Sequence, residues 1–286
     1  RVRSSAASDV YKRQNLTSIN IPESVTYIGI GAFYLCTNLK SIAIPDSVTK
    51  IENITFTGCS SLTSISIPES VTYIGLNAFK DCTSLTSIYI PDSVTLTGLS
   101  GTFSGCTSLT NVKLPDVIYI INTNTFAGCS SLLNIIIPDS VTAIKECAFY
   151  NCSNLTSITI PDSVASIENS AFYNCTSLKS ITLNNPDCEI SNDKDTIPET
   201  AVICGYENST AQAYAERYYK RFVAIEDIGD ISGNGEIDLY DAIEIAKAIM
   251  GLRTFTAEEM IIADFNMDGA VDLYDAIEIA RTLLPK

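Results

Sequence analysis

Apolar residues recur along most of the chain at a fixed interval of 23 positions. The unit LTSINIPESVTYIGIGAFYLCTN is repeated with one extra residue in the fourth copy and with an incomplete eighth copy. The copies begin at Leu16, Leu39, Leu62, Leu85, Leu109, Leu132, Leu155 and Leu178. Periods of about 20 to 50 residues are typical of solenoids, in which each repeat forms one rung.

Each copy predicts the same local structure. The alternating stretch S-I-x-I predicts a short strand with both Ile on one face, and the later V-T-x-I predicts a second extended segment. The A-F-x-x-C stretch predicts a helical or turn-rich return. Because proline lacks an N–H, it ends the first strand in seven copies. These prolines are Pro22, Pro45, Pro68, Pro91, Pro115, Pro138 and Pro161. A single rung cannot bury its own apolar side chains, so the pattern predicts stacked rungs in a right-handed solenoid with a parallel sheet along one side.

The spacing and the I-P…A-F…C signature closely resemble the BspA-type bacterial leucine-rich repeats over about residues 16–183. This resemblance implies an extracellular or cell-surface binding or adhesion protein. It also implies that the repeats are not catalytic.

Seven of the ten cysteines occupy one position of the repeat, namely Cys36, Cys59, Cys82, Cys106, Cys129, Cys152 and Cys175. Equivalent side chains on stacked rungs point the same way, and an odd number cannot pair completely. We therefore predict buried free thiols rather than a disulfide framework or a metal site. We also expect Cys147 to be buried, whereas pairing of Cys188 with Cys204 stays open.

The middle residue of each I-x-I predicts the outward face of the sheet. These residues are Asn20, Ala43, Ser66, Tyr89, Lys113, Ile136, Thr159 and Thr182. Most are small and polar, but Tyr89, Lys113 and Ile136 are neighbours, and Leu133 lies beside Ile136. Two interpretations stay open: ordinary surface variation, or a protein-binding patch.

The chain departs from the repeat at both ends. Residues 184–227 predict a C-terminal cap and linker, with Ser209 and Gln212 as a capping box that opens a helix. The residues expected on one face of that helix are Ala211, Tyr214, Tyr218 and Phe222. Residues 1–14 lack the apolar stretch of a signal peptide and resemble a translated adapter sequence. We set them aside as non-native and expect the true N-terminus to be missing.

Two 12-residue segments share the plan of an EF-hand loop. Loop 1 (residues 230–241) and loop 2 (residues 264–275) place oxygen-bearing side chains at positions 1, 3, 5, 9 and 12 and Gly at position 6. The predicted calcium ligands are Asp230, Ser232, Asn234, Glu236, Asp238 and Asp241 in loop 1, and Asp264, Asn266, Asp268, Ala270, Asp272 and Asp275 in loop 2. Glu236 and Ala270 would contribute backbone carbonyls. The pattern predicts two calcium ions.

Each loop opens an amphipathic helix, predicted over residues 242–250 and 276–284, and no convincing helix precedes loop 1. Thr256 and Glu259 predict the start of an intervening helix. This repeated unit of one calcium loop followed by one helix closely resembles dockerin domains over about residues 228–286. The resemblance implies a cohesin partner on a cellulosome-type scaffold. It also implies cohesin contacts at Leu239, Tyr240, Lys247, Leu273, Tyr274 and Arg281. The Ser-Thr pair common in dockerins is absent, so the cohesin class stays open, and the Leu-Tyr pairs could instead pack inward.

Composition narrows the remaining functions. The chain has 286 residues, a net charge of −15 and neither His nor Trp. Nucleic acid is therefore an improbable partner, and His-dependent catalysis and His-ligated zinc are excluded. No apolar run approaches the roughly 20 residues of a membrane span. Residues 228–286 hold 12 Asp and Glu against 4 Lys and Arg, which favours a hard cation such as calcium.

The sequence thus predicts a leucine-rich-repeat solenoid (parallel β with turns and short helices) followed by a small all-α dockerin with two EF-hand-like calcium loops. The predicted segments are 1–14, 15–183, 184–227 and 228–286. We expect a non-catalytic secreted protein that anchors to a cohesin-bearing scaffold, with repeats that bind an unidentified protein or surface ligand. The alternative is the C-terminal part of a scaffold-attached, polysaccharide-degrading enzyme whose catalytic domain lies upstream.

Overall fold

The computed structural model describes residues 14–97, 99–256, 259–266 and 269–284. Residues 1–13, which the sequence analysis sets aside, lie outside this range. So does Asp268, one of the predicted ligands of loop 2.

The repeats form two rows of short parallel strands, numbered in chain order. The S-I-x-I row contains β1 (Ser18–Ile19), β2 (Ser41–Ile42), β5 (Ser87–Tyr89), β7 (Asn111–Lys113), β10 (Ser157–Ile160) and β12 (Ser180–Leu183). The second row contains β3 (Lys50–Ile51), β4 (Tyr73–Ile74), β6 (Leu96–Thr97), β8 (Ile120–Ile121), β9 (Ala143–Ile144), β11 (Ser166–Ile167) and β13 (Glu189–Ile190). Equivalent residues face each other, as Ser157 faces Ser180. The predicted parallel solenoid is confirmed.

The returns between the rows are turns rather than helices in the described residues. Each return places residues in the left-handed region on either side of its Phe, as at Asn77 (φ 54°) and Asp81 (φ 58°). Cys147 occupies such a position, with φ 55°. Its side chain therefore leaves the core and is only half-buried, so the expectation that it is buried was wrong.

Identical side chains stack along the solenoid axis and form its core. Seven Phe, from Phe33 to Phe172, lie face to face with ring centroids 5.2 to 5.7 Å apart. Beside them, each rung thiol from Cys59 onward donates to a Phe carbonyl of the preceding rung at 3.1 to 3.2 Å. All ten cysteines, including Cys188 and Cys204, are free thiols. The buried-thiol prediction is confirmed.

The cap continues the first row with two further strands, β14 (Val202–Gly205) and β15 (Phe222–Ala224). Between them runs α1 (Thr210–Arg217), whose N-cap Ser209 accepts from the Gln212 N–H. Ala211 and Tyr214 are buried in the core, as the sequence predicts. The second bond of the predicted capping box comes from a different residue. The Gln212 side chain accepts from the N–H of Asn208 and not from that of Ser209, so this half of the box is displaced by one residue.

The described residues of the C-terminal segment form three helices after a short 3₁₀ turn (Ile225–Asp227). They are α2 (Leu239–Ile249), α3 (Glu259–Ile262) and α4 (Leu273–Thr282). Helices α2 and α4 begin three residues earlier than predicted, because Asp238 and Asp272 act as N-caps that accept from the N–H groups of the residues two positions on. The predicted capping box of α3 is confirmed: Thr256 N–H donates to Glu259 at 2.7 Å, and Glu259 N–H donates to Thr256 at 3.1 Å.

The small core of this segment is built from matched positions. Ala242 and Ile245 of α2 are buried against Ala276 and Ile279 of α4. Each residue of one helix has its counterpart 34 positions later in the other. The two loop–helix units therefore pack as near-equivalent halves.

Burial of the rung thiols predicts their reactivity. Burial raises the pKa of Cys59 and of Cys106 to about 12, so at pH 8 both stay protonated in the folded chain. We expect intact-mass analysis to show ten alkylations after denaturation without reductant. In the native chain the rung thiols should stay unlabelled and half-buried Cys147 should react first. A mass shift of fewer than ten labels in the denatured, unreduced chain would reveal disulfides and contradict the prediction.

Candidate functional site

Loop 1 wraps its backbone around the carboxylate of its first residue. Asp230 accepts from the N–H groups of Gly235 at 2.7 Å and Asn234 at 3.1 Å, and from the Ser232 hydroxyl at 3.1 Å. Desolvation raises the pKa of Asp230, but these hydrogen bonds outweigh it, so its pKa lies below the usual value. The side chain is therefore ionised, which is the form that binds a cation.

The last residue of loop 1 closes the loop from inside. The fully buried Asp241 accepts from the N–H groups of Ser232 at 2.9 Å and Asp238 at 2.7 Å. The Asn234 side-chain amide reaches Asp238 at 3.3 Å. Side chains from positions 1, 3, 5, 9 and 12 are thus linked by hydrogen bonds around one loop.

Loop 2 repeats these bonds. Asp264 accepts from the Gly269 N–H at 2.8 Å. The buried Asp275 accepts from the N–H groups of Asn266 at 3.1 Å and Asp272 at 2.8 Å. The described residues of the two loops therefore share these hydrogen bonds despite their different sequences. Glycine supplies the left-handed backbone at position 6 of each loop (Gly235 φ 85°, Gly269 φ 89°).

The side chains that could bind a cation in both loops offer oxygen atoms, and hard cations such as Ca²⁺ prefer oxygen ligands. No group of three or more carboxylate or thiol side chains is gathered at one point among the described residues. The carboxylates instead alternate with the neutral oxygens of Ser232 and Asn234 in loop 1 and Asn266 in loop 2. This mixed set fits calcium and lacks the nitrogen and sulfur ligands typical of zinc.

The residues after each loop's ninth position are displayed to solvent. Leu239 and Leu273 are each 58% exposed, and Tyr240 and Tyr274 are 69% and 67% exposed. The alternative in which these pairs pack inward was wrong, because the helices begin at the Leu and turn both side chains away from the core.

A cationic side chain lies two turns further along each of these helices. Lys247 pairs with Glu244 and Arg281 pairs with Glu278, both at 2.6 Å. The surroundings differ, because Glu244 also binds Arg253, which bridges to Glu259 of α3. No pattern in the sequence predicted this bridge.

The residues singled out on the repeats also meet in space. Tyr89 and Lys113 are register partners, and together with Ile136 they line a shallow groove of about 370 Å³. Ile136 is 86% exposed, and Leu133 is exposed but does not line this groove. Lys113 is held by Asp116 at 2.6 Å.

The outward face is not solvated along its whole length, contrary to expectation. Thr182 is only 3% exposed, because the C-terminal segment lies over the last strands of the row. An apolar cluster there joins Val202, Cys204, Val223 and Ile228 to Ile261, Ile262 and Phe265. The sequence signal for this contact is the VICG stretch of β14, which is apolar on both faces.

The structure combines a solenoid of 23-residue repeats with two copies of an EF-hand-like loop followed by a helix. These two features define the class of protein. The family model "BspA type Leucine rich repeat region" matches residues 5–101 and 99–194, and "Dockerin type I domain" matches residues 228–284. The chain belongs to the BspA-type leucine-rich repeat family and carries a C-terminal dockerin domain. Dockerin domains of this type bind calcium and cohesins, and both domains are typical of extracellular or cell-surface proteins.

Solved structures similar to this chain are bacterial leucine-rich repeat proteins. A leucine-rich repeat protein from Bacteroides ovatus is 32% identical with a TM-score of 0.55, over 67% of this chain and 55% of that one. A leucine rich cell surface protein from Faecalibacterium prausnitzii is 29% identical with a TM-score of 0.42, over 64% and 62%. The chain thus spans less than two thirds of either relative. No curated protein matched. No helix in the described part of the chain is long and apolar enough to cross a membrane.

Calcium removal should unfold the dockerin and spare the repeats. Helices α2 and α4 begin inside the loops, so their stability depends on loop closure around an ion. We expect excess chelator to reduce the far-UV helical signal of the full chain, while the rung thiols stay protected from alkylation. An unchanged helical signal would contradict this.

The two loops should differ in affinity. Loop 2 offers four carboxylates and loop 1 three, so we expect Asp264→Ala to reduce calcium affinity more than Asp230→Ala in calorimetry. Asp162→Ala, which removes an exposed carboxylate from the repeats, is the matched control and should change nothing. A larger effect of Asp230→Ala would reverse the ranking.

Proposed function

We propose that this protein is a non-catalytic component of an extracellular complex, attached to a cohesin-bearing scaffold through its calcium-loaded dockerin. The observation that carries this proposal is the pair of exposed Leu-Tyr dipeptides at matched positions of α2 and α4. Large apolar side chains held at the start of two rigid helices suit the anchors of a protein interface, because Tyr combines apolar area with a hydroxyl.

Two calcium ions complete the dockerin in this proposal. In loop 1 the ligands are the side chains of Asp230, Ser232, Asn234, Asp238 and Asp241 and the carbonyl of Glu236. In loop 2 they are the side chains of Asp264, Asn266, Asp268, Asp272 and Asp275 and the carbonyl of Ala270. The hydrogen bonds that the described residues of the two loops share support one ion in each loop. The ions would offset the mutual repulsion of these carboxylates.

The repeats serve binding rather than catalysis in this proposal. The chain has no His for acid–base or nucleophile activation, and both matched domains are of non-catalytic types. Tyr89, Lys113 and Ile136, with Leu133 beside them, form the surface that we propose for a protein ligand. An enzyme domain encoded upstream is the rival interpretation, and the full gene sequence decides between the two.

The cohesin surface comprises Leu239, Tyr240 and Lys247 on one half and Leu273, Tyr274 and Arg281 on the other. Because the halves are near-equivalent, a cohesin could bind either half after a half-turn of the module. If the dockerin binds a cohesin in two equivalent modes, loss of one mode halves the overall association constant. Replacing Leu239 and Tyr240 by Ala should therefore weaken cohesin binding by only about twofold, and so should replacing Leu273 and Tyr274.

Replacing all four residues by Ala should abolish binding in calcium-containing buffer, as measured by calorimetry against a panel of cohesins. Fold integrity is checked by the helical signal with calcium. The matched control replaces Tyr27 and Tyr119, two exposed tyrosines of the repeats, by Ala. A large loss from one pair alone would establish a single binding mode, and retained binding in the fourfold variant would overturn the proposed surface.

A further inference from the structure

The last strands of the solenoid are buried on both of their faces. In β14, Ile203 points into the solenoid core, whereas Val202 and Cys204 point outward yet are each 1% exposed. Ile261, Ile262 and Phe265 cover them. Within the dockerin, the Gly229 N–H donates to the Ile262 carbonyl at 2.8 Å, which holds α3 beside the residues that follow the cap. The dockerin is therefore packed on the outward sheet face rather than suspended from a linker.

The bend of loop 2 at Gly269 takes part in this contact, and the bend of loop 1 at Gly235 does not. A Cβ added at Gly269 would lie 2.8 Å from the Ser157 hydroxyl, whereas one added at Gly235, the equivalent residue of loop 1, would meet nothing within 4 Å. Ser157 is 6% exposed, although Ser41 and Ser87, which hold the same position in earlier rungs, are exposed. The bend of loop 2 thus rests on β10, whereas residues 232–236, the bend of loop 1, are exposed to solvent.

In its described residues, loop 2 keeps the hydrogen bonds of loop 1 although its bend rests on the solenoid. The bond from Gly269 to Asp264 matches that from Gly235 to Asp230, and the closing bonds of Asp275 match those of Asp241. The sheet face therefore accommodates the wrapped, ligand-gathering form of loop 2. A surface that binds one conformation stabilises it over the alternatives, which lowers the ordering cost of ion binding.

We propose that the solenoid is an intramolecular partner of the dockerin that holds loop 2, and not loop 1, in its calcium-binding conformation. The proposal rests on calcium binding by the dockerin, as set out under Proposed function. Because coupling between binding events is reciprocal, calcium in loop 2 also strengthens the contact between dockerin and solenoid. The two calcium sites then differ in their dependence on the repeats, although their loops are built alike.

The first test separates the two sites in the full chain. Ser157→Arg places a long side chain under the bend of loop 2, and Ser87→Arg places the same side chain at the equivalent exposed position three rungs earlier. In calcium calorimetry we expect Ser157→Arg to weaken one of the two sites by about fivefold and to leave the other unchanged. Ser87→Arg should match the wild type at both sites.

The second test reads the contact itself through Cys204, whose thiol lies beneath the dockerin. The measurement is alkylation of the native chain followed by mass mapping. We expect Cys204 to be protected when calcium is present and to be labelled at least about tenfold faster in chelator or in the Ser157→Arg variant. The reason is that protection of this thiol follows the population of chains in which the dockerin is docked on the solenoid. Cys175, buried in the repeat core, is the internal control and should stay unlabelled throughout, which also shows that the solenoid remains folded.

The outcomes distinguish the two proposals. If the wild-type chain binds no calcium, both proposals are overturned. If it binds two ions but Ser157→Arg behaves like Ser87→Arg, and Cys204 reacts equally with and without calcium, only the coupling is overturned. Weakening of both sites to the same extent by Ser157→Arg would also count against it, because the bend of loop 1 is open to solvent.

Discussion

The structure depends on the inability of one 23-residue rung to bury its own side chains. A strand pair and a turn cannot enclose a Phe, a Leu and several Ile, so each rung is stable only between two others. Stacking places identical residues above one another, and the face-to-face Phe column and the thiol-to-carbonyl bonds follow directly from that repetition. From Cys59 onward the rung thiols form no disulfides with one another, because each donates to the backbone of the preceding rung.

Stacking also creates an end that must be covered. The cap covers it by prolonging the sheet with β14 and β15 and by laying α1 across the core. These strands carry apolar residues on their outward face as well, and a second layer is needed to remove them from water. Helix α3 and the start of loop 2 supply that layer through Ile261, Ile262 and Phe265.

The dockerin itself has a very small core, centred on Ala242, Ile245, Ala276 and Ile279. Domains of this size seldom bury enough apolar surface to fold alone and often depend on metal ions. Here the loops that would hold the ions are also the N-caps of the main helices, since Asp238 and Asp272 serve both roles. Ion binding, helix initiation and the display of the Leu-Tyr pairs are therefore one local structure, present twice.

The binding surfaces of the two domains are close to one another. The outward sheet face is open around Tyr89, Lys113 and Ile136 and is covered from Ser157 onward. A groove of about 530 Å³ between these regions is lined by Ile136, Thr159 and Asn266, so it runs from the exposed patch to loop 2. The cohesin-type contacts at Leu239 and Leu273 stay exposed, which leaves both halves of the dockerin accessible while it rests on the repeats.

The sequence by itself determined everything that repeats or is local. Short-range spacing, in which each residue type has one physical role, determines the repeat period, the strand positions and the prolines that end the strands. It also determines the column of buried thiols and the arrangement of oxygen-bearing residues in the loops at residues 230–241 and 264–275. Tertiary structure decided what depends on residues distant in the chain. Burial of Ser157 depends on a loop more than 100 residues away, and no local pattern distinguishes this serine from the exposed Ser87. The half-burial of Cys147 and the early starts of α2 and α4 depend on backbone conformation at single residues. Spacing constrains that conformation only loosely.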